Sequence, residues 1–351
     1  MKRRIVFVDQ TLISGGAERV LCTIMRMLDP KVFEIHLVLV SYLSSFEYLI
    51  PDNVKVHILG IKNSRNALPA FIKKINKIKP DKVFSTSNRT TILVILARFF
   101  SINYKIIARY PSMPSLEIKE GLSGWRLWLM KKFYKKVDLI VAQTIEMAAE
   151  LHEYYQIKTD QIITITNPID TNNIDDCIKE VENPFKGNNI NVVASGRISY
   201  EKGFDILIKS FELIIKKNSN FHLHIIGRDE HNNQEKLQQM AIDLKISNHV
   251  HFYGFQKNPY MFYKFCDLFV LSSRREGLPN VVLECQYLNK PIVATKCIPV
   301  IERLIQHGEN GYLVNVEDHI QLAKKILKFK DLVIKSKNNK VKKECFIDLF
   351  K

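Results

Sequence analysis

No two of the six cysteines (Cys22, Cys177, Cys266, Cys285, Cys297, Cys345) stand at Cys-x-x-Cys spacing. Neither a disulfide framework nor a structural zinc site is therefore expected, and the thiols read as reduced, packed side chains of a cytosolic protein. No Asp-x-Asp pair occurs, so no divalent cation is expected against a nucleotide diphosphate, and no cofactor is implied. His222-x-His224 and His249-x-His251 each place two rings on one face of a strand. No carboxylate or cysteine completes a ligand set beside them, and packing is their expected role. No apolar run approaches the roughly 20 residues that cross a bilayer; the longest, Ile92–Leu96 continuing to Phe99–Ile102, is broken by Arg98. Met1-Lys2-Arg3-Arg4 carries the charge of a signal n-region, but Asp9 and Gln10 end the apolar stretch after four residues, and no signal peptide is expected. Gly-x-Gly-x-x-Gly and Gly-Lys-Ser/Thr are both missing, which removes a dinucleotide fingerprint and a P-loop.

What is present is ordinary globular composition, 46% apolar and 25% charged over 351 residues, a length that suggests two domains. Lys and Arg number 52 against 36 Asp and Glu, a formal net charge of +16, and the excess is concentrated in the amino-terminal half. Such a charge attracts any polyanion, yet no helix-turn-helix, zinc finger or aromatic RNA-binding motif is visible, and nucleic acid is not the expected partner.

Short β-branched runs alternate with helical stretches in both halves. Strands are expected at Ile5–Val8, Ile35–Val40, Val54–Leu59, Val83–Ser85, Lys105–Ala108 and Leu139–Ala142. In the second half they are expected at Asn191–Ser195, Phe221–Ile226, His249–Tyr253, Leu268–Leu271, Ile292–Ala294 and Tyr312–Val314. This pattern implies α/β architecture with two doubly wound parallel sheets. Asn167-Pro168 marks the seam, since a residue before proline is extended, and the polar stretch Asp170–Asn189 shows little apolar periodicity.

Three constellations could carry chemistry. Glu276-Gly277-Leu278-Pro279-Asn280-Val281-Val282-Leu283-Glu284 follows a strand and opens a helix expected over about Pro279–Tyr287. Proline in a first helical turn loses no hydrogen bond, and the amides of Asn280, Val281 and Val282 then form an anion cradle at the strand's carboxyl end. Gly196-Arg197-Ile198-Ser199-Tyr200-Glu201-Lys202-Gly203 follows another strand, and Arg197 and Lys202 suit phosphate oxygens. Alone, a surface Arg and Lys beside a helix start would explain it equally well. Ser14-Gly15-Gly16-Ala17-Glu18-Arg19 follows the first strand, where paired glycines allow close backbone approach or a tight turn.

Taken in order along the chain, these motifs resemble the family 4 glycosyltransferases of the GT-B fold. The likeness includes Asn167-Pro168, Cys266-Asp267 and Pro291-Ile292-Val293-Ala294-Thr295, and extends from about Ile5 to Val314. The resemblance implies two Rossmann-like domains facing across a cleft. Residues 1–167 would bind the acceptor and 168–351 the nucleotide sugar, with the last helix a candidate to pack back on the amino-terminal domain. It implies retaining, metal-free sugar transfer from a nucleotide diphosphate donor, with UDP favoured on family habit, to a glycan or lipid-linked saccharide. Arg197 and Lys202 would neutralise the diphosphate and Glu276 would hold the donor sugar's hydroxyls. Glu284 would take the ribose, the amides around Leu278, Pro279, Asn280 and Val281 the phosphates, and Phe255 the base. Gly15 and Gly16 would close over the diphosphate from the other domain. The chain departs from the family in three places. Gly227-Arg228-Asp229 replaces a Gly-x-Gly, Cys297–Glu302 replaces a glycine-rich loop, and Arg109-Tyr110-Pro111 stands where many members carry a His. An epimerase on the same fold is the alternative chemistry, disfavoured by the Glu276-x₇-Glu284 arrangement.

Leu122–Val137 holds both tryptophans, Trp125 and Trp128, among Arg126, Lys131, Lys132, Lys135 and Lys136. Lys73, Lys74, Lys77 and Lys79 add charge on a second helix. Aromatics beside Lys and Arg suit an anionic membrane surface, and peripheral contact with such a membrane on the cytoplasmic side is the expectation.

Overall fold

The structure, a computed structural model, describes residues 2–13, 15–42, 47–119, 121–229, 231–334 and 343–351; Ser14 of the glycine motif lies outside them. The chain divides into two compact units, Met1–Pro168 with Lys340–Lys351, and Ile169–Asn339.

The first unit is built on β1 (Arg3–Asp9), β2 (Phe33–Leu39), β3 (Lys55–Ile58), β4 (Lys82–Ser85), β5 (Lys105–Arg109), β6 (Leu139–Ala142) and β7 (Ile162–Thr164). Their spatial order is β3-β2-β1-β4-β5-β6-β7, with every pairing parallel. Parallel strands covered on both faces lose their apolar/polar alternation, and Ile5, Val6, Phe7 and Val8 are accordingly all fully buried. The helix Gly16–Met27 buries Val20, Leu21, Ile24 and Met25, the i, i+3/i+4 spacing of one helical face. Beyond the gap in the described residues, Lys343–Asp348 forms a last helix. The fully buried Phe350 ring that follows lies 5.5 Å from Phe7 and 5.7 Å from Phe84, and Lys82 Nζ donates to the Leu349 carbonyl at 2.9 Å.

The second unit carries β8 (Ile190–Ser195), β9 (Phe221–Ile226), β10 (Val250–Phe252), β11 (Leu268–Leu271), β12 (Ile292–Thr295) and β13 (Gly311–Val314), in the order β10-β9-β8-β11-β12-β13, again all parallel. Its core joins Leu207, Phe211 and Ile214 of the helix Phe204–Ile215 to Val192, Ile225 and Val270 of the sheet and to Leu322 and Ile326 of the helix His319–Leu327. Each such side chain contributes about 1.5–3 kcal/mol by burial. In both sheets the chain runs outward on one side, then returns to start the other. The reversal falls between β1 and β4 in the first and between β8 and β11 in the second. Ligands of doubly wound sheets bind outside the strands' carboxyl ends at such points.

The strand β7 and a helix at Thr171–Ile178 were not apparent in the sequence. The histidines pack on one another: His222 Nδ1 and His251 Nε2 are 2.9 Å apart with stacked rings. Among the described residues no cluster of His, Cys, Asp or Glu is arranged to hold a metal ion. None of the six cysteines is in a disulfide, and Cys22, Cys266 and Cys285 are buried.

Candidate functional site

Between β8 and β11, two loops are fastened to each other. After Gly196 and the exposed Arg197, the chain makes a short turn at Tyr200–Lys202. It then passes through Gly203 at φ 62° into the helix Phe204–Ile215. A Cβ on Gly203 would lie 2.2 Å from the Ser272 carbonyl oxygen at the end of β11, so glycine is required by contact as well as by conformation. Ser272 Oγ donates to the Lys202 carbonyl at 2.9 Å. The Lys202 stem lies over Gly196, whose Cβ would sit 2.9 Å from Lys202 Cε, and its ammonium reaches Glu276 Oε1 at 2.7 Å. Ser273 Oγ donates to the same oxygen at 2.7 Å.

Arg274 completes the fastening. Its guanidinium pairs with both carboxylate oxygens of Asp205, at 2.8 and 2.7 Å, and its Nε donates to Glu317. Nη1 also donates to the Tyr200 carbonyl at 2.7 Å, and the guanidinium covers the Tyr200 ring at 3.9 Å. Burial raises the Asp205 carboxyl, but the hydrogen bond and charge of Arg274 outweigh it and hold the group below its usual range. Arg275 pairs with Glu201 at 2.7 Å. The Glu201 carboxyl is lowered to about 2, first by the hydrogen bond from Ser199 and further by Arg275. Ser272, Ser273, Arg274 and Asp205 were not singled out in the sequence, although a Ser-Ser-Arg-Arg run between a buried strand and Glu276 is a signal that could have marked them.

Leu278 and Pro279 are buried after Glu276. Pro279 occupies the N-cap, and the helix runs Asn280–Tyr287, so the expected placement of Pro279 inside the first turn is corrected. The Val282 amide donates to the Pro279 carbonyl at 3.0 Å, which withdraws it from the expected anion cradle. A proline carbonyl three residues back closes a 3₁₀-type bond there. The amides of Asn280 and Val281 precede it. Glu284, one turn further on, accepts from Tyr260 Oη at 3.5 Å. Cys297, after β12, stays protonated: burial, then the negative charge of Glu276, pushes its thiol up to about 12, far from a reactive thiolate. Phe255 follows Gly254 near the end of β10, with the Arg228 guanidinium carbon 5.4 Å from its ring centre.

Gly15, Gly16 and Arg109 belong to the first unit. Arg109 ends β5, is buried, and donates from Nε and Nη2 to Asn167 Oδ1 at 3.1 and 2.8 Å. Asn167 in turn donates to Gln143 Oε1 at 2.9 Å. Asp9 ends β1 and accepts from Thr86 Oγ1 at 2.6 Å. Burial raises its carboxyl to about 7 despite that hydrogen bond. A Cβ at Gly15 would lie 2.8 Å from a Glu18 carboxylate oxygen. A polar cluster thus occupies the switch point of the first sheet as well.

Two doubly wound parallel sheets, with a lysine–glutamate pair at the switch point of the second, define an α/β protein of the GT-B class. Residues 14–173 match the family model of Glycosyltransferase Family 4, and residues 177–344 that of Glycosyl transferases group 1. An uncharacterized glycosyltransferase of Methanocaldococcus jannaschii is 32% identical over 78% of this chain and 71% of its own length. Also similar is an N-acetylgalactosamine-N,N'-diacetylbacillosaminyl-diphospho-undecaprenol 4-alpha-N-acetylgalactosaminyltransferase of Campylobacter jejuni, at 27% identity over 88% of this chain and 85% of that one. Among solved structures, Anabaena HepE in complex with UDP and glucose superposes with a TM-score of 0.78 at 20% identity, covering 99% of this chain and 98% of that one. The chain belongs to the family 4 glycosyltransferases.

Proposed function

We propose that the protein transfers a sugar, with retention, from a UDP-sugar to a glycan or lipid-linked saccharide in the synthesis of a bacterial cell-surface polysaccharide. The observation that carries this reading is the Lys202–Glu276 pair, 2.7 Å apart at the reversal point of the second sheet. In the transfer, the bond from the anomeric carbon to the β-phosphate oxygen breaks and a bond from that carbon to an acceptor hydroxyl oxygen forms. The hydroxyl proton leaves with the diphosphate. Negative charge grows on the departing phosphate, and fixed cations aimed at it lower the barrier. Lys202 and Arg197 take that role, joined by the amides around Leu278, Pro279, Asn280 and Val281 at a helix start. Lys202 and Ser273 both bond to the same Glu276 oxygen, Oε1; its second oxygen is the one to hold donor-sugar hydroxyls. Glu284 holds the ribose and Phe255 the base. In the first unit, Arg109 serves the acceptor side, together with the polar cluster at the end of its sheet.

The transferase name of the C. jejuni relative, which includes a diphospho-undecaprenol-linked saccharide, supports a lipid-linked acceptor. UDP in the complex of the Anabaena neighbour supports the donor nucleotide. Among the described residues no helix is long and apolar enough to cross a membrane. The helix Gly124–Tyr134 leaves Trp125 and Trp128 exposed beside Lys132, which supports peripheral contact with an anionic membrane at its cytoplasmic face. The reading is tested by nucleotide release: with a UDP-sugar and a lipid-linked saccharide the protein liberates UDP in step with product. Interconversion of free sugar nucleotides without an acceptor would mark an epimerase instead.

A further inference from the structure

The three strands on one side of the second sheet's reversal point, β8, β9 and β10, are each followed closely by a glycine, and the three glycine segments are locked together. The Gly196 amide donates to the Ile226 carbonyl and the Gly227 amide to the Gly254 carbonyl, both at 2.9 Å. A Cβ on Gly227 would lie 1.7 Å from the Gly196 carbonyl oxygen, so no other residue fits there. The residue after each glycine is therefore held at a set place: Arg197, Arg228 and Phe255 succeed one another across three adjacent strand ends. The backbone around Arg228 is fixed on both sides. Its carbonyl accepts from the Ile198 amide at 2.9 Å, and the next residue, Asp229, receives the amides of His231, Asn233 and Gln234 on its carboxylate. The guanidinium lies over the Phe255 ring, 5.4 Å from its centre. The N–H bonds of a guanidinium lie in its own plane and donate at its edge.

We propose that Arg228 selects the nucleobase of the donor, reading a carbonyl edge beside the Phe255 ring. It thereby favours the oxo bases uracil and guanine over the amino bases adenine and cytosine. This rests on the sugar-nucleotide reading above and deepens it. The chemistry is one-sided: a guanidinium has five donors and no acceptor. Uracil offers carbonyl oxygens, and guanine offers O6 with N7, the pair that arginine reads in bidentate fashion. Adenine and cytosine place an amino group where guanine and uracil carry O6 and O4, so donor meets donor at that atom and the two groups stay unpaired there at a cost. The diphosphate and ribose are common to all four nucleotides, so they contribute equally and the base edge alone separates them.

The test is equilibrium binding of UDP, GDP, ADP and CDP to the full chain. The wild type is expected to prefer UDP or GDP over both ADP and CDP by about tenfold or more, the discrimination of one good arginine–base contact. Arg228→Ala is expected to bring all four within about twofold. Arg228→Lys, which keeps the charge and the aliphatic stem but not the planar fork, should bind nucleotides while losing most of the preference. Circular dichroism and thermal unfolding of each variant report an intact fold. Equal affinity of the wild type for all four, or a preference that survives in both variants, overturns the assignment while leaving the sugar-nucleotide reading standing. Absence of binding by any of the four overturns both.

Discussion

The ammonium of Lys202 and the carboxylate of Glu276 lie 2.7 Å apart across a sequence separation of 74 residues. The contact depends on where β8 and β11 end, because neighbouring strands on the two sides of a reversal point send their following loops to one place. In the proposed mechanism, replacing Lys202 by Ala takes a preorganised cation from the departing phosphate, and turnover is expected to fall by about 10²–10³-fold. Glu276→Ala should be comparably impaired, and the double variant should lose much less than the product of the two, since the pair acts as a unit. Initial rates of UDP release measure all three; full additivity would separate the two roles.

Arg274 holds the loop of Glu276 against the loop of Lys202, and its removal is expected to act on stability and turnover together. Arg274→Ala leaves Asp205 and Glu317 without a cation and should cost about 1.5–3 kcal/mol, the range for hydrogen bonds to charged groups. A fall in the unfolding midpoint measures it. The pH dependence has a definite sign. The Asp205 carboxyl is held below its ordinary value of 3.8, so the stability it contributes is present above that value and is lost as pH falls through the lower folded-state value. The acid limb of the wild-type stability curve below about pH 4 should therefore be shallower in the variant.

Much of the architecture was legible because buried parallel strands announce themselves as unbroken apolar runs. Ile5–Val8 and Leu268–Leu271 are of this kind. Strand β7 escaped because it is an edge strand of three residues, none of them buried. The helix Thr171–Ile178 escaped because it buries one residue, Ile174, and is started by the Asp170 side chain rather than by an apolar repeat. At the site, Glu276 and Lys202 stood out in local motifs. Arg274 did not, because its partners Asp205 and Glu317 are 69 and 43 residues away and no local spacing encodes them. The Val282 amide was misjudged because the helix begins at Asn280 with Pro279 as its N-cap, so that the Pro279 carbonyl accepts from it.

A second pH effect is expected from His224. It is buried between Asn191 Oδ1, 3.0 Å from Nε2, and Tyr253 Oη, 3.1 Å from Nδ1. A neutral ring satisfies both, donating to the carbonyl oxygen and accepting from the phenol. Burial, then the neighbouring rings of His251 and His222, pushes it down to about 3. The unfolded chain binds a proton near pH 6.5 and the folded one does not, so stability declines as pH falls below 6.5. The decline is about 1.4 kcal/mol per pH unit for such a group. Denaturant midpoints between pH 7 and pH 5 should show it, and His224→Gln should flatten the slope.

The helix Gly124–Tyr134 supplies the last prediction. Trp125 is 68% and Trp128 57% exposed, a large apolar display for a soluble surface. Lys132 Nζ lies 4.8 Å from the Trp128 ring centre. Just past the end of the helix Asn88–Arg98, Phe99 and Phe100 are exposed too, with Lys136 Nζ 5.1 Å from the Phe99 ring centre. Rings at the headgroup level with ammonium groups beside them match an anionic bilayer, where each Lys adds about 1 kcal/mol at moderate salt. Because the tryptophans are exposed, Trp125→Ala combined with Trp128→Ala should leave the unfolding midpoint within about 0.5 kcal/mol of wild type. The same double variant should float poorly with phosphatidylglycerol vesicles. Lys132→Glu should weaken flotation mainly at low salt, since the Debye length shrinks to about 3 Å at 1 M. Wild-type protein that fails to float with anionic vesicles at low ionic strength, or a double variant that floats as well as wild type, would overturn the proposed membrane contact through this helix.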